Sequence, residues 1–118
     1  MRQFTTPEQT AKLIGLGFEK PRNERWVLDV ANESTPSIQN IVKRQDYSIG
    51  ELIEMLPKSL KNPYNPPLAI ECNEKWRVYY GVQEDYSWEW SIWYEVDETE
   101  LIDALYNMIV KLKGEGVI

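Results

Sequence analysis

Three segments of the chain carry apolar residues at the spacing of an amphipathic helix. The middle segment begins with Ser48-Ile-Gly-Glu51, a capping box in which each of the two side chains accepts a hydrogen bond from the other residue's backbone amide. Tyr47 and Leu52 flank this start at the positions of a hydrophobic staple. We therefore predict a short helix that starts at Ser48 and stops before Pro57.

The other two helices are predicted near the ends of the sequence. The first starts at Thr6–Pro7, because proline is favoured in the first helical turn, and it ends near Gly15. The last carries an apolar stripe from Leu101 to Leu112. We expect Asp97 to cap this helix and Gly114 to follow its last turn.

Between the second and last helices, apolar and polar residues alternate with the period of strands that have one buried face. Runs of this kind occupy residues 68–72, 76–80 and 88–96, and the segment 25–30 is a further candidate strand. The order α-β-α-β-β-β-α predicts an α+β fold, with an antiparallel sheet of three to four strands and helices packed on one face. The length of 118 residues suits a single domain over residues 1–118.

The alternation also assigns the strand residues to faces. The face expected to pack on the helices carries Leu68, Ile70, Cys72, Trp76, Val78, Tyr80, Trp88, Trp90, Ile92, Tyr94 and Val96. The opposite, polar face carries Tyr79, Glu89, Trp93 and Glu95, which are the candidate binding residues. An exposed aromatic ring among carboxylates suits stacking on a sugar or nucleobase, or anchoring of a protein partner. The alternative is that a second layer of the protein covers this face.

Composition excludes several kinds of catalysis. The chain has no histidine and one cysteine, so Ser–His pairs, Cys–His pairs and thiolate zinc sites cannot form within it. We expect no metal and no cofactor. The one enzymatic chemistry left open is a carboxylate site formed by Glu71, Glu89 and Glu95 across the sheet. Cys72 alternates with apolar residues, so we expect a buried thiol rather than a nucleophile.

Negative charge is concentrated in the last third of the chain, and the net charge is −6. Residues 1–83 hold 11 Lys/Arg and 10 Asp/Glu, whereas residues 84–118 hold 2 and 9. This distribution favours a basic protein partner over direct contact with nucleic acid. Helix capping and solvation of a strand face explain the same charges without a partner. No apolar run is long enough to span a membrane, so a cytoplasmic protein without membrane contact is expected.

Three segments resemble parts of known proteins. Phe4–Gln9, Tyr47–Lys58 and Leu101–Lys113 are similar to segments of small uncharacterised proteins from gut anaerobic bacteria and their phages. The resemblance implies a bacterial or phage protein of mobile genetic elements, and it implies no activity, cofactor or catalytic residue.

The sequence therefore predicts a non-enzymatic accessory or protein-interaction domain with an acidic C-terminal face, either a monomer or a weak homodimer. A domain that binds a small ligand, a sugar or nucleobase, through exposed aromatic residues on the sheet is the alternative, and a carboxylate hydrolase is the third possibility. A concave site would favour the small ligand, and a flat acidic face would favour the protein partner.

Overall fold

The computed structural model describes residues 1–28, 41–83 and 90–118. Along these residues the helices are α1 (Pro7–Gly15), α2 (Ile49–Met55) and α3 (Leu101–Gly114). The strands are β1 (Glu24–Leu28), β2 (Ile41–Gln45), β3 (Leu68–Cys72), β4 (Trp76–Gln83) and β5 (Trp90–Glu98). The α+β class and the predicted order of elements are confirmed, with β2 as an additional strand.

Helices α1 and α2 start where the local sequence predicts. The Thr6 hydroxyl accepts from the Gln9 amide at 3.2 Å, and the Gln9 side chain accepts from the Thr6 amide at 3.0 Å. Ser48 and Glu51 form the equivalent pair at the start of α2, with distances of 3.1 and 3.3 Å. These reciprocal bonds satisfy backbone amides that the first turn of a helix leaves free.

Helix α3 starts later than predicted. Its N-terminal flanking residue is Glu100, whose side chain makes no capping hydrogen bond. The predicted cap, Asp97, lies in β5, where it pairs with Arg77 of β4. The sequence prediction was wrong here because the β4–β5 ladder continues through the residue that local capping preference selects.

The end of α3 also differs from the prediction. Gly114 is still helical, and the residue with the left-handed conformation is Gly116, at φ 75°. The amides of Gly116 and Val117 donate to the carbonyls of Lys113 and Leu112 at 3.2 and 2.9 Å. This is a Schellman motif, which reverses the chain direction after the helix.

Strands β3, β4 and β5 form an antiparallel sheet in that order, and α3 packs mainly against β4 and β5. Val78 and Tyr80 are fully buried against the helices, as their face assignment predicts. Residues of α3 complete this core: Ile102, Ala104, Leu105, Met108, Ile109 and Leu112 are also fully buried. The hydroxyl of Tyr80 donates to the Pro57 carbonyl at 2.6 Å, and burial raises the pKa of this phenol.

The prediction that Cys72 is buried was wrong, because the residue is exposed. It lies at the end of β3, the strand at the edge of the sheet, opposite Trp76. Alternation assigns a side chain to a face but does not show where the covering helix layer stops. Leu68 and Ile70, earlier in the same strand, pack against the core, whereas Cys72 does not.

Strands β1 and β2 pair as a separate antiparallel ribbon, attached to α1 through a buried charge. Asp46 is fully buried and accepts from Arg25 at 3.1 Å, Arg44 at 2.9 Å and the Thr10 hydroxyl at 2.6 Å. Burial alone would raise the pKa of Asp46, but the bonds from Arg44 and Thr10 and the nearby arginine charges outweigh it, so this pKa lies below its usual value.

Candidate functional site

A β-bulge in the middle of the sheet determines the direction of the aromatic side chains of β5. Tyr80 pairs with Tyr94, but the next residue of β4, Gly81, pairs with Ile92. Trp93 is therefore an extra residue in β5, and a bulge of this kind changes the direction of the side chains around it.

Gly81 makes this arrangement sterically possible. A Cβ atom at this position would lie 3.0 Å from the Ser91 carbonyl oxygen and 3.2 Å from Cγ1 of Ile92. That Cβ would point away from the core face occupied by Tyr80, because neighbouring residues of a strand face opposite sides. Ile92 accordingly lies on the polar side of the sheet, 37% exposed, and the prediction that it packs on the helices was wrong.

The same bulge brings Trp93 and Tyr94 to one concave surface. Their side chains line a groove of about 440 Å³, which we call the aromatic groove. Its other described lining residues are Pro57, Ser59, Leu60, Lys61, Asn62, Val117 and Ile118. The alternation predicted that Trp93 lies with Tyr79 and Glu95 on the polar face. The extra residue instead places Trp93 beside Tyr94 in the aromatic groove.

The loop between α2 and β3 forms one wall of the aromatic groove and is held by its own hydrogen bonds. The Asn62 side chain accepts from the amides of Tyr64 and Asn65 at 2.8 and 3.0 Å. The Leu60 amide donates to the Pro66 carbonyl at 3.0 Å. The Tyr64 ring lies 5.6 Å from the ring of Trp93, centroid to centroid. Prolines and internal bonds fix this wall, so the groove is formed before any ligand arrives.

On the polar face of the sheet, the side chains of Tyr79, Glu71 and Arg77 contact one another. The Tyr79 hydroxyl donates to Glu71 at 2.6 Å, which raises the pKa of Tyr79. The Arg77 guanidinium lies over the Tyr79 ring, 4.4 Å from its centroid. Tyr79 is only 5% exposed, so it does not offer the open stacking surface that we expected.

Arg77 also separates the two carboxylates that were candidates for catalysis. Its guanidinium lies 2.8 Å from Glu95 and 3.6 Å from Glu71. One cation therefore lies beside both carboxylates. Glu89, the remaining predicted binding residue, lies outside the described residues, as does Trp88.

Many acidic residues of the last third bind groups of this chain. The carboxylates are those of Glu95, which forms an ion pair with Arg77, and of Glu98, Glu100 and Asp103, which accept hydrogen bonds from Asn107, Arg2 and Gln9. The side chain of Asp97 makes no hydrogen bond or ion pair within the described part of the chain. The Arg2 contacts tie the N-terminal segment to the start of α3.

A second concave surface lies between the end of α1 and α2, with a volume of about 280 Å³. Three of its charged lining residues are paired with one another, because Arg22 lies 2.5 Å from Glu54 and 3.8 Å from Glu51. Across residues 1–28, 41–83 and 90–118, no cluster of three or more Cys, Asp or Glu side chains is placed to hold a metal ion. In the same residues, no helix has the length and apolar character to cross a membrane.

Sequence reasoning missed two surface features. Trp26 of β1 is 70% exposed, and Ile41 of β2 is 41% exposed on the same face of the ribbon. The strand signal in residues 41–45 is short, which is why β2 and its face were not predicted. The aromatic groove was missed because its walls come from three separate parts of the chain.

Comparison with known proteins adds no identification. No protein family, no curated protein and no solved structure matches this chain at a significant level.

Proposed function

We propose that this protein is a binding domain that holds a small planar molecule in the aromatic groove. The observation that carries the proposal is the bulge that places Trp93 and Tyr94 side by side in a concavity of about 440 Å³. This volume falls within the range of small-molecule sites. Trp93 remains 36% exposed, so part of an indole ring is available for stacking.

The composition of the groove supports an apolar ligand with few polar groups. Leu60, Pro57, Val117 and Ile118 supply aliphatic surface, and Ser59 and Asn62 supply hydrogen-bonding groups. Binding sites of this class combine a mostly apolar lining with a few polar contacts that orient the ligand. The hydrogen bonds within the loop support affinity, because they reduce the backbone entropy that the loop loses on binding.

Titration with 2-naphthylmethanol, followed by amide and indole NMR shifts, tests the proposal. We expect saturable shifts at residues 57–62 and at Trp93, and Trp93→Ala should weaken binding at least about fivefold, since stacking on an aromatic ring contributes about 1–3 kcal/mol. Trp26→Ala is the matched control, because it removes a more exposed indole that does not line the groove. Shifts spread over the ribbon, or equal loss in both variants, would contradict the proposal.

Ser59→Trp gives an independent test that does not remove an aromatic residue. Ser59 lines the groove and is exposed, so an indole there should fill the groove without changing the core. We expect the folded NMR spectrum to persist and naphthylmethanol binding to be lost.

A protein-interaction function is the second candidate, supported by the charge of the polar sheet face. In its described part, this face carries Glu71, Glu95 and Asp97 against a single cation, Arg77. An excess of two negative charges suits a basic partner. Asp97→Lys should weaken binding of a lysine-rich peptide more at low salt than at high salt, whereas Glu115→Lys, the same charge change outside this face, should have less effect.

A further inference from the structure

The side chain of Asn62 lines the aromatic groove, and its hydrogen bonds fix the orientation of its amide. Its Oδ1 atom accepts from the backbone amides of Tyr64 and Asn65 at 2.8 and 3.0 Å. Because backbone N–H groups are donors, they can bond only to the oxygen of the side-chain amide. The two bonds use both lone pairs of that oxygen, and they direct the Nδ2 atom away from the two backbone amides.

The Nδ2 group of Asn62 keeps its hydrogen-bonding capacity for a ligand. Its two N–H donors have no partner in the described part of the chain, and the half-buried side chain leaves the nitrogen accessible to solvent. A group that is held in one orientation before binding loses little rotamer entropy when a ligand accepts from it. Asn62 therefore offers the groove two oriented donors, while its side-chain acceptor is already used.

The backbone carbonyls of the same wall are engaged within the protein. The Pro57 carbonyl accepts from the Tyr80 hydroxyl at 2.6 Å, and the Leu60 carbonyl accepts from the Asn62 amide at 3.1 Å. The Asn62 carbonyl accepts from the Asn65 amide at 3.1 Å. These three carbonyls need no ligand to satisfy them, whereas the Asn62 Nδ2 donors must be satisfied by water or by a ligand.

From these contacts we infer that the groove selects planar ring molecules that carry a hydrogen-bond acceptor, such as a ring nitrogen or a carbonyl, with the ring against Trp93 and the acceptor facing Asn62 Nδ2. This inference rests on the proposed function and adds the polar chemistry of the ligand. A ring whose polar group is only a donor displaces water from Asn62 and leaves its N–H groups without a partner. The Ser59 hydroxyl can donate or accept, so it does not discriminate between the two kinds of ring.

Three bicyclic probes of similar size separate the ring from its polar group. Quinoline carries an acceptor nitrogen, indole carries a donor N–H, and naphthalene carries neither; each is uncharged near neutral pH and is titrated against the full chain by NMR. We expect quinoline to bind about threefold to tenfold more tightly than indole or naphthalene, the usual range for one hydrogen bond. Bound quinoline should also shift the side-chain NH₂ signals of Asn62.

Asn62→Asp removes the two donors and keeps the acceptor that holds the loop. One carboxylate oxygen can still accept from the Tyr64 and Asn65 amides, while the other places an acceptor where Nδ2 was. We expect the folded NMR spectrum to persist and quinoline to bind at least about threefold more weakly than to the unmodified chain. Indole should bind as tightly as before or more tightly, because its N–H now faces an acceptor.

Asn65→Asp is the matched control. It makes the same chemical change three residues away, at an exposed residue that does not line the groove. Aspartate tolerates the left-handed conformation of this position, φ 44°, as asparagine does. We expect Asn65→Asp to bind the three probes as the unmodified chain does.

The outcomes distinguish this inference from the proposed function. If the three probes bind in the groove equally, or if Asn62→Asp still prefers quinoline, the acceptor preference is wrong while the aromatic groove stands. Tighter binding of indole than of quinoline to the unmodified chain also overturns it. If no probe binds in the groove, both the inference and the proposed function fail. A preference for quinoline that disappears in Asn62→Asp and persists in Asn65→Asp supports the inference.

Discussion

Replacement of Gly81 by alanine tests whether the bulge determines the position of Trp93. The new methyl group would lie 3.0 Å from the Ser91 carbonyl oxygen and 3.2 Å from Cγ1 of Ile92. Comfortable contacts of a carbon atom begin near about 3.5 Å, so the overlaps are about 0.3–0.5 Å. One of these contacts is backbone, and β5 must therefore move away from β4 by a few tenths of an ångström at the bulge.

We expect Gly81→Ala to lower the free energy of unfolding by about 1–2 kcal/mol, the usual cost of adding a methyl group to a packed site. For a domain of this size, the melting temperature should fall by about 4–10 °C. Affinity for 2-naphthylmethanol should fall as well, because the shift acts on the strand segment that carries Trp93. Thermal unfolding followed by circular dichroism and the NMR titration described above measure the two effects.

Gly15→Ala is the matched control for this experiment. Nothing lies within 4 Å of a Cβ at Gly15, which is the last residue of α1. Alanine there should leave the stability unchanged or raise it by less than about 1 kcal/mol, because alanine is the better helix former. If Gly81→Ala is as stable as the unmodified chain and binds the probe equally well, the close approach at the bulge does not hold Trp93 in place, and our account of the groove is wrong.

Three further predictions concern the rest of the fold. A thiol reagent should label Cys72 in the native protein nearly as fast as in denaturant, and slow native labelling would contradict its exposed position. Because the pKa of Asp46 is lowered in the folded state, its contribution to stability is present above about pH 4 and is lost as the pH falls below that value. Between about pH 6 and about pH 3, urea unfolding should therefore show a smaller loss of stability in Asp46→Asn than in the unmodified chain. Near neutral pH, Asp46→Asn should lower the free energy of unfolding by about 1–3 kcal/mol. A pH dependence identical to that of the unmodified chain would refute this role of Asp46. Glu95→Lys should lower the melting temperature because it breaks the ion pair with Arg77, and Glu95→Gln should lower it less. Thermal unfolding measures both changes, and a larger decrease in Glu95→Gln would contradict this reasoning.

The parts of the fold that local chemistry determines were predictable from the sequence. The starts of α1 and α2 depend on hydrogen bonds between residues three positions apart, and both starts were predicted correctly. The start of α3 was not, because Asp97 has both a capping preference and a partner in the β4–β5 ladder. Asp97 takes its place in the ladder rather than at the helix cap, and no neighbouring residue in the sequence indicates which of the two it adopts.

The candidate site was less predictable because period-two alternation assumes an uninterrupted strand. Tyr94 and Val96 were assigned to the core face correctly, and both pack against the core. On the other side of the bulge the assignment of Ile92 fails, since one extra residue reverses every side chain beyond it. Gly81 is the one signal in the sequence for this event, because glycine inside a strand often marks a bulge or a close backbone approach.

The acidic last third shows that charge along the sequence does not reveal which carboxylates are paired in the fold. The sequence places two basic residues against nine acidic residues in that region. In the fold, Arg2 and Arg77 supply cations to Asp103 and Glu95, and the backbone amide of Arg2 donates to Glu100. The cations that pair with Asp103 and Glu95 therefore come from distant parts of the chain.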